Sequence, residues 1–206
     1  MEKKYIALTF DDGPNTTTTS EVLDILEKYH VKGSFFLVGD EINEESIKQA
    51  KRAFDMGCEI NNHSKTHPAM PEMSKDEILA EVEFTNQKII GITGKAPLFF
   101  RPPYIAVNDL MLDIIPLTFI AGYGCSDWLP EVSAEERYKK VMEQADNGAI
   151  ILLHDAKGND NTVAALEMII PDLISQGYDL VTVSDLFRLC GCEPKKGVVY
   201  SSVFDR

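Results

Sequence analysis

What the 206-residue sequence lacks narrows its function first. No apolar run approaches the roughly 20 residues that a membrane span requires. No basic stretch offsets a net charge of −13, so neither a nucleic-acid backbone nor an anionic membrane suits it as a partner. A neutral small molecule or a neutral polysaccharide fits better. The four cysteines, Cys58, Cys125, Cys190 and Cys192, form no CxxC pair, which argues against a structural zinc knuckle. A bridge between Cys190 and Cys192 would be strained, so free thiols and a reducing compartment are expected. The chain begins with no charged-then-apolar leader and no small-residue cleavage site. The expectation is a cytoplasmic protein, with secretion behind an export signal absent from this chain as the alternative. Linkers, repeats and low-complexity segments are missing too. With 44% apolar and 26% charged residues, the composition is that of one globular domain over residues 1–206.

What is present is a repeated alternation of short apolar runs and longer amphipathic ones. Seven runs read as strands: Tyr5–Thr9, Ser34–Val38, Cys58–Asn61, Leu98–Arg101, Leu117–Gly122, Ala149–Leu153 and Tyr178–Val183. Between them the pattern predicts helices over Thr18–His30, Asn43–Phe54 and Thr162–Gln176, the last containing Pro171, with a short terminal helix after Ser184. Thr18 with Glu21, Ser74 with Glu77 and Ser133 with Glu136 have the spacing of capping boxes at helix starts. Such βα alternation implies a parallel sheet with helices outside it. The unit size predicts an α/β fold of the (β/α)7 type, a distorted TIM-like barrel in a single domain; an open doubly wound sheet has the same spacing.

In parallel β/α folds ligands bind at the carboxyl ends of the strands, and the reactive residues cluster there. Asp11 and Asp12 follow the first strand, and two adjacent like charges at a strand mouth call for a positive partner, most simply a metal cation. His63 and His67 follow the third strand. Arg101, then Pro102, Pro103 and Tyr104, end the fourth. Asp127 and Trp128 follow the fifth, and His154 the sixth. Only four histidines occur in the chain, and three of them fall on this rim. Each group alone has a plainer reading: a turn, an incidental i,i+4 histidine pair with both rings on one face, a rigid loop with a surface arginine, a packed indole, a structural histidine. Their convergence on one rim carries the case.

Thr9-Phe10-Asp11-Asp12-Gly13-Pro14, His63-Ser64-Lys65-Thr66-His67, Arg101-Pro102-Pro103-Tyr104, Asp127-Trp128 and Leu152-Leu153-His154 together resemble, in order, the five motifs of the NodB-type polysaccharide deacetylases, carbohydrate esterase family 4. The resemblance implies a divalent metal ion held by Asp12, His63 and His67, with Zn favoured over Co or Mn. It further implies Asp11 as general base, Arg101 as its partner, His154 as general acid and Asp127 as the residue orienting it. It gives the Tyr104 backbone N–H to the oxyanion, and Trp128 and Leu152 to the acetyl methyl. Two positions depart from the family pattern. Ile105 stands where a small residue such as glycine is common, and Gly124 where a carboxylate is common; both border the substrate groove.

The expected reaction is removal of acetyl groups from a carbohydrate, with O-acetyl groups of xylan or xylooligosaccharides favoured. N-deacetylation of N-acetylglucosamine polymers, chitooligosaccharide or peptidoglycan, is the alternative. Two histidines and a carboxylate also form the facial triad of non-haem Fe(II) oxygenases, though βα alternation speaks against that class. A non-catalytic carbohydrate binder is opposed by the intact acid and base.

Overall fold

The computed structural model describes residues 3–206. In chain order the elements are β1 (Lys4–Asp11), α1 (Thr18–Lys28), β2 (Ser34–Leu37), α2 (Ile47–Asp55), β3 (Glu59–Asn62), α3 (Lys75–Thr93), β4 (Phe99–Phe100), α4 (Asp109–Ile114), β5 (Thr118–Ile120), β6 (Tyr123–Gly124), α5 (Ala134–Gln144), β7 (Ile150–His154), α6 (Asp160–Ser175), β8 (Tyr178–Leu180), α7 (Val183–Leu189) and β9 (Val199–Tyr200). All strand pairs are parallel. Among the described residues no helix is long and apolar enough to cross a membrane.

The sheet runs in the order β6-β7-β1-β2-β3-β4-β5-β9, with β8 pairing the first residues of β1. Strands β5 and β6 lie on opposite sides of the opening, yet only Ala121 and Gly122 separate them in the chain. One short stretch of backbone therefore joins the two ends, and the sheet curls on itself as a (β/α)7-type fold. Gly122 makes that step possible. Its φ is +91°, and a Cβ there would lie 3.1 Å from both the Arg101 guanidinium and Leu152. The strand expected over Leu117–Gly122 is β5 alone and stops at Ile120; β6, beyond the expected run, was not foreseen. Strand β9, which the sequence reading missed, pairs β5. Beyond it the Ser201 carbonyl accepts from Ile150 N at 2.9 Å, filling the gap at the bottom of the barrel.

Side-chain alternation decides what reaches the interior. In β1, Ile6, Leu8 and Phe10 pack outward against α1 and α6, whereas Ala7 joins an inner cluster with Phe36, Phe99, Ile120 and Ile150. In β7, Ile151 and Leu153 face outward and Ile150 inward. By the same parity Asp11 and His154 point inward, and they are register partners. Strands buried on both faces explain why both sequences read as continuous apolar runs.

Two of the three expected capping boxes form. Ser74 N donates to Glu77 Oε2 at 2.8 Å and Ser133 N to Glu136 Oε2 at 2.9 Å. The third does not. Thr18 is buried, and its hydroxyl accepts from Gly158 N instead. The side chain of Asn15 takes the Thr17 and Thr19 N–H groups. Tertiary packing of the loop after β1 against the loop after β7 overrides the local signal. Cys58 lies just before β3 rather than in it, is buried, and all four cysteines are free thiols. Helix α6 continues through Pro171 to Ser175.

Leu153 is fully buried on the outward face of β7. Leu153→Ala is expected to lower unfolding free energy by about 2–5 kcal/mol, read from the midpoint of urea denaturation; an unmoved midpoint would show that this strand is not core.

Candidate active site

Asp11 and Asp12 are consecutive, so in a continuing strand they would point to opposite faces. They do not, because Asp12 turns into the left-handed region with φ 73°. Both carboxylates then approach one ring: Asp11 Oδ2 and Asp12 Oδ1 each lie 3.5 Å from His63 Nε2. Just beyond, Gly13 passes so close to Asp155 that a Cβ would meet its carboxylate at 2.5 Å. All but one of the non-glycine residues with positive φ, Asp12, Ser64, His67, Tyr104, Ile105 and Ser126, lie in the loops of this rim; the exception is His30. Such conformations are costly for side chains with a Cβ and are kept where a site needs them.

Arg101 organises the inner wall. It is fully buried, stacks on Phe36 at 4.2 Å, and donates from Nη1 to Asp11 Oδ1 at 2.6 Å. Its carbonyl oxygen lies 2.6 Å from His63 Nδ1. A carbonyl only accepts, so Nδ1 carries a proton, and the ring is held with Nε2 toward the two carboxylates.

His67 reaches the same point by a route other than the i,i+4 spacing suggested. Residues 63–67 are not helical. The loop is held from α3, where buried Glu81 accepts from Lys65 N at 2.9 Å, Thr66 N at 2.8 Å and the Thr66 hydroxyl at 3.0 Å. Asn62 Oδ1 accepts from Ser64 N at 2.7 Å. His67 Nε2 then lies 3.6 Å from Asp12 Oδ1. Donor atoms of Asp12, His63 and His67 all fall within 4.8 Å of one another, a group that could hold a metal ion. The electrostatics agree. Burial opposes charge on Asp12, but His63, by hydrogen bond and charge, with His154 and His67, holds its carboxyl below the usual range. Burial and the neighbouring His63 lower His67, against Asp12 and Asp11, so its ring is neutral near pH 7. A carboxylate and two imidazole rings are a donor set that divalent zinc, cobalt or manganese accepts.

On the opposite wall His154 Nδ1 lies 2.8 Å from Asp127 Oδ1, and Asp127 Oδ2 accepts from His154 N at 2.7 Å. Burial alone would lower the imidazole, but the hydrogen bond and charge of Asp127, with Asp11 and Asp12 behind it, raise it to about 9. The exposed Trp128 ring stands 5.6 Å from His154, edge to face. Leu152 is buried beside it; a Cβ at Gly124 would touch both Leu152 and Trp128 at 3.7 Å. Across the opening, exposed Tyr104 meets His67 edge-on at 4.6 Å. A groove of about 580 Å³ runs from Asp12 past His154, Trp128 and Pro130 to Asn159 and Asn161.

All ten residues expected from the sequence therefore border one cleft or its wall. Glu81 and Asn62 behind the histidine loop, and Thr162, Asn159 and Arg137 behind Asp127 and His154, were not foreseen; Asp155 falls on the rim after His154 but was given no role. Asp155 adjoins His154 in sequence. Burial, with Asp12 and Asp11 adding to it against the Thr19 hydroxyl, pushes its carboxyl up to about 7.

The family model described as polysaccharide deacetylase matches residues 1–118. The chain belongs to the polysaccharide deacetylase family. It is 47% identical over 194 residues to a bifunctional xylanase/deacetylase of Pseudobutyrivibrio xylanivorans, covering 94% of this chain and 32% of that longer protein. Among solved structures, the Xyl-CE4 domain of a multidomain xylanase from the hindgut metagenome of Trinervitermes trinervoides superposes with a TM-score of 0.97 at 45% identity, covering 100% of both chains. A family 4 acetyl xylan esterase from Clostridium thermocellum, solved with a cobalt ion, superposes with a TM-score of 0.94 at 40% identity, covering 98% of this chain and 100% of that one.

In the metal-free protein the His154 ring, followed by NMR, is expected to titrate near 9. Asp127→Asn leaves burial unopposed by its main partner and should bring the midpoint down toward or below 6.5, the ordinary value. A midpoint unchanged in the variant would mean that Asp127 does not control this ring.

Proposed function

We propose that the protein is a metal-dependent hydrolase that removes O-acetyl groups from acetylated xylan or xylooligosaccharides. One observation carries the reading. A carboxylate paired with arginine, Asp11–Arg101, and an imidazole paired with a carboxylate, His154–Asp127, flank the same Asp12–His63–His67 cluster. That is a base and an acid on either side of a cation site. The substrate preference rests on the relatives named for xylan, at 47%, 45% and 40% identity.

The bound ion, zinc by preference and cobalt or manganese by the same donors, would polarise the acetyl carbonyl and acidify water beside it. The protein's own residues do the rest. Arg101 occupies Asp11 Oδ1, which leaves Oδ2 as the atom that takes the proton of the attacking water. Asp127 occupies His154 Nδ1, so Nε2 is the nitrogen that gives a proton to the departing sugar oxygen. With its pKa raised to about 9, the ring holds that proton at neutral pH. The Tyr104 backbone N–H, in a loop whose backbone is left-handed there, is the group that the family resemblance gives to the developing oxyanion. Leu152 and Trp128, with the space left open by Gly124, receive the methyl group.

Acetate release from acetylxylan, N-acetyl chitooligosaccharides and peptidoglycan, with Zn²⁺, Co²⁺ or Mn²⁺ returned to stripped protein, tests this. Acetylxylan should be the preferred substrate, and stripped protein should be inactive. Release only from the N-acetylated polymers would replace the substrate assignment, and release from none would end the hydrolase reading. Asp11→Asn should retain the metal but lose about 10²–10⁴-fold in turnover. His63→Ala should lose the metal itself, measured by metal content after dialysis; near-normal turnover in Asp11→Asn would refute the roles given to the two aspartates.

A further inference from the structure

Arg101 and Arg137 are the two largest fully buried side chains. Arg101 has a carboxylate partner. Arg137, on α5, has none among the described residues: its hydrogen bonds go to the Val132 and Leu129 carbonyls at 2.9 and 3.0 Å, to Asn159 Oδ1 at 2.5 Å and to Thr162 Oγ1 at 2.8 Å. A guanidinium buried among neutral acceptors is expensive to keep, and these acceptors lead to the reacting group.

A guanidinium only donates. The Thr162 hydroxyl, accepting from Arg137, must turn its single proton elsewhere, and it meets Asp127 Oδ2 at 2.9 Å. Asn159, accepting at Oδ1, must present its amide N–H₂ on the other side, where it donates to the His154 carbonyl at 2.9 Å and reaches Asp127 Oδ2 at 3.5 Å. Asn159 is the N-cap residue of α6, yet its side chain does not cap the helix. With His154 N, these donors converge on Oδ2, and Oδ1 is left for the His154 ring. The same guanidinium grips Leu129 and Val132, which follow Trp128 in the loop.

We propose that Arg137 is a positioning residue: by fixing the donor directions of Thr162 and Asn159 it locks the Asp127 carboxylate toward His154, and by holding the 129–132 backbone it sets the Trp128 wall of the substrate groove. The proposal rests on the reading of His154 as the general acid. It assigns two separable effects to one side chain, of which Thr162 carries only the first.

The test compares Thr162→Val, Thr162→Ser and Arg137→Met in the zinc-loaded full chain. Thr162→Val should lower kcat about ten-fold with KM and zinc content unchanged, and Thr162→Ser should restore it to within about three-fold. Arg137→Met should lower kcat and also raise KM, because the Trp128 loop loosens. The low-field His154 Nδ1–H proton resonance, which needs no turnover, should be sharp in the wild type and Thr162→Ser and broadened in Thr162→Val. If the wild type releases no acetate, the proposed activity fails while this resonance still reads the relay. Wild-type kcat and resonance in Thr162→Val would overturn the proposal. So would a parallel loss of thermal stability, zinc and kcat that serine does not rescue. Should Arg137→Met not fold, the threonine variants decide the Asp127 lock and Arg137→Lys, whose ammonium lacks the fork that reaches the Leu129 and Val132 carbonyls, decides the Trp128 wall; an unchanged KM in the arginine variant that folds would overturn that half.

Discussion

The site depends on one buried arginine that works from both its ends. The Arg101 guanidinium holds Asp11 at 2.6 Å, and the Arg101 carbonyl holds His63 Nδ1 at 2.6 Å. The first contact draws one of two adjacent carboxylates toward the inner wall. The second fixes which nitrogen of His63 faces the other carboxylate. Two neighbouring acids in water would be near equivalents. Here a single residue makes them different, one committed to a cation in the protein and the other left beside the cation site. Removing either contact leaves a charge or a ring nitrogen without its partner in a closed interior, where that is costly.

The barrel supplies the frame in which this works. Parity along β1 and β7 sends Asp11 and His154 inward as register partners. The strands place Asp11 and His154, whereas the loops at the strand ends supply Asp12 and His67 through backbone turned left-handed. Each wall has a brace behind it. Glu81 holds the histidine loop from α3, and Arg137 stands behind Asp127 from α5.

Much of this was legible in the sequence because the fold repeats one rule. Apolar runs followed by chemistry-bearing residues located the rim, and the order of the motifs along the chain pointed to the family. What was not legible shares a physical cause: it depends on partners distant in the chain. The Thr18–Glu21 capping signal was overridden by a contact with Gly158 from another loop. The strand expected over Leu117–Gly122 stops at Ile120, and Gly122 turns left-handed where a Cβ would crowd Arg101 and Leu152. The histidines met through a loop held by Glu81 and not through helical spacing. Glu81 and Arg137 read as ordinary charged residues on helices; only tertiary packing turns them inward. Strand β9 is two residues long and has no pattern of its own.

The central claim is that the two adjacent aspartates do different work. Anomalous diffraction from crystals of the zinc-loaded protein tests it most directly. The account predicts one ion bonded at about 2.0–2.2 Å to an Asp12 oxygen, His63 Nε2 and His67 Nε2, with Asp11 still paired to Arg101 and unbonded to the ion. An ion bonded to Asp11, or bridging both carboxylates with Arg101 displaced, would contradict it.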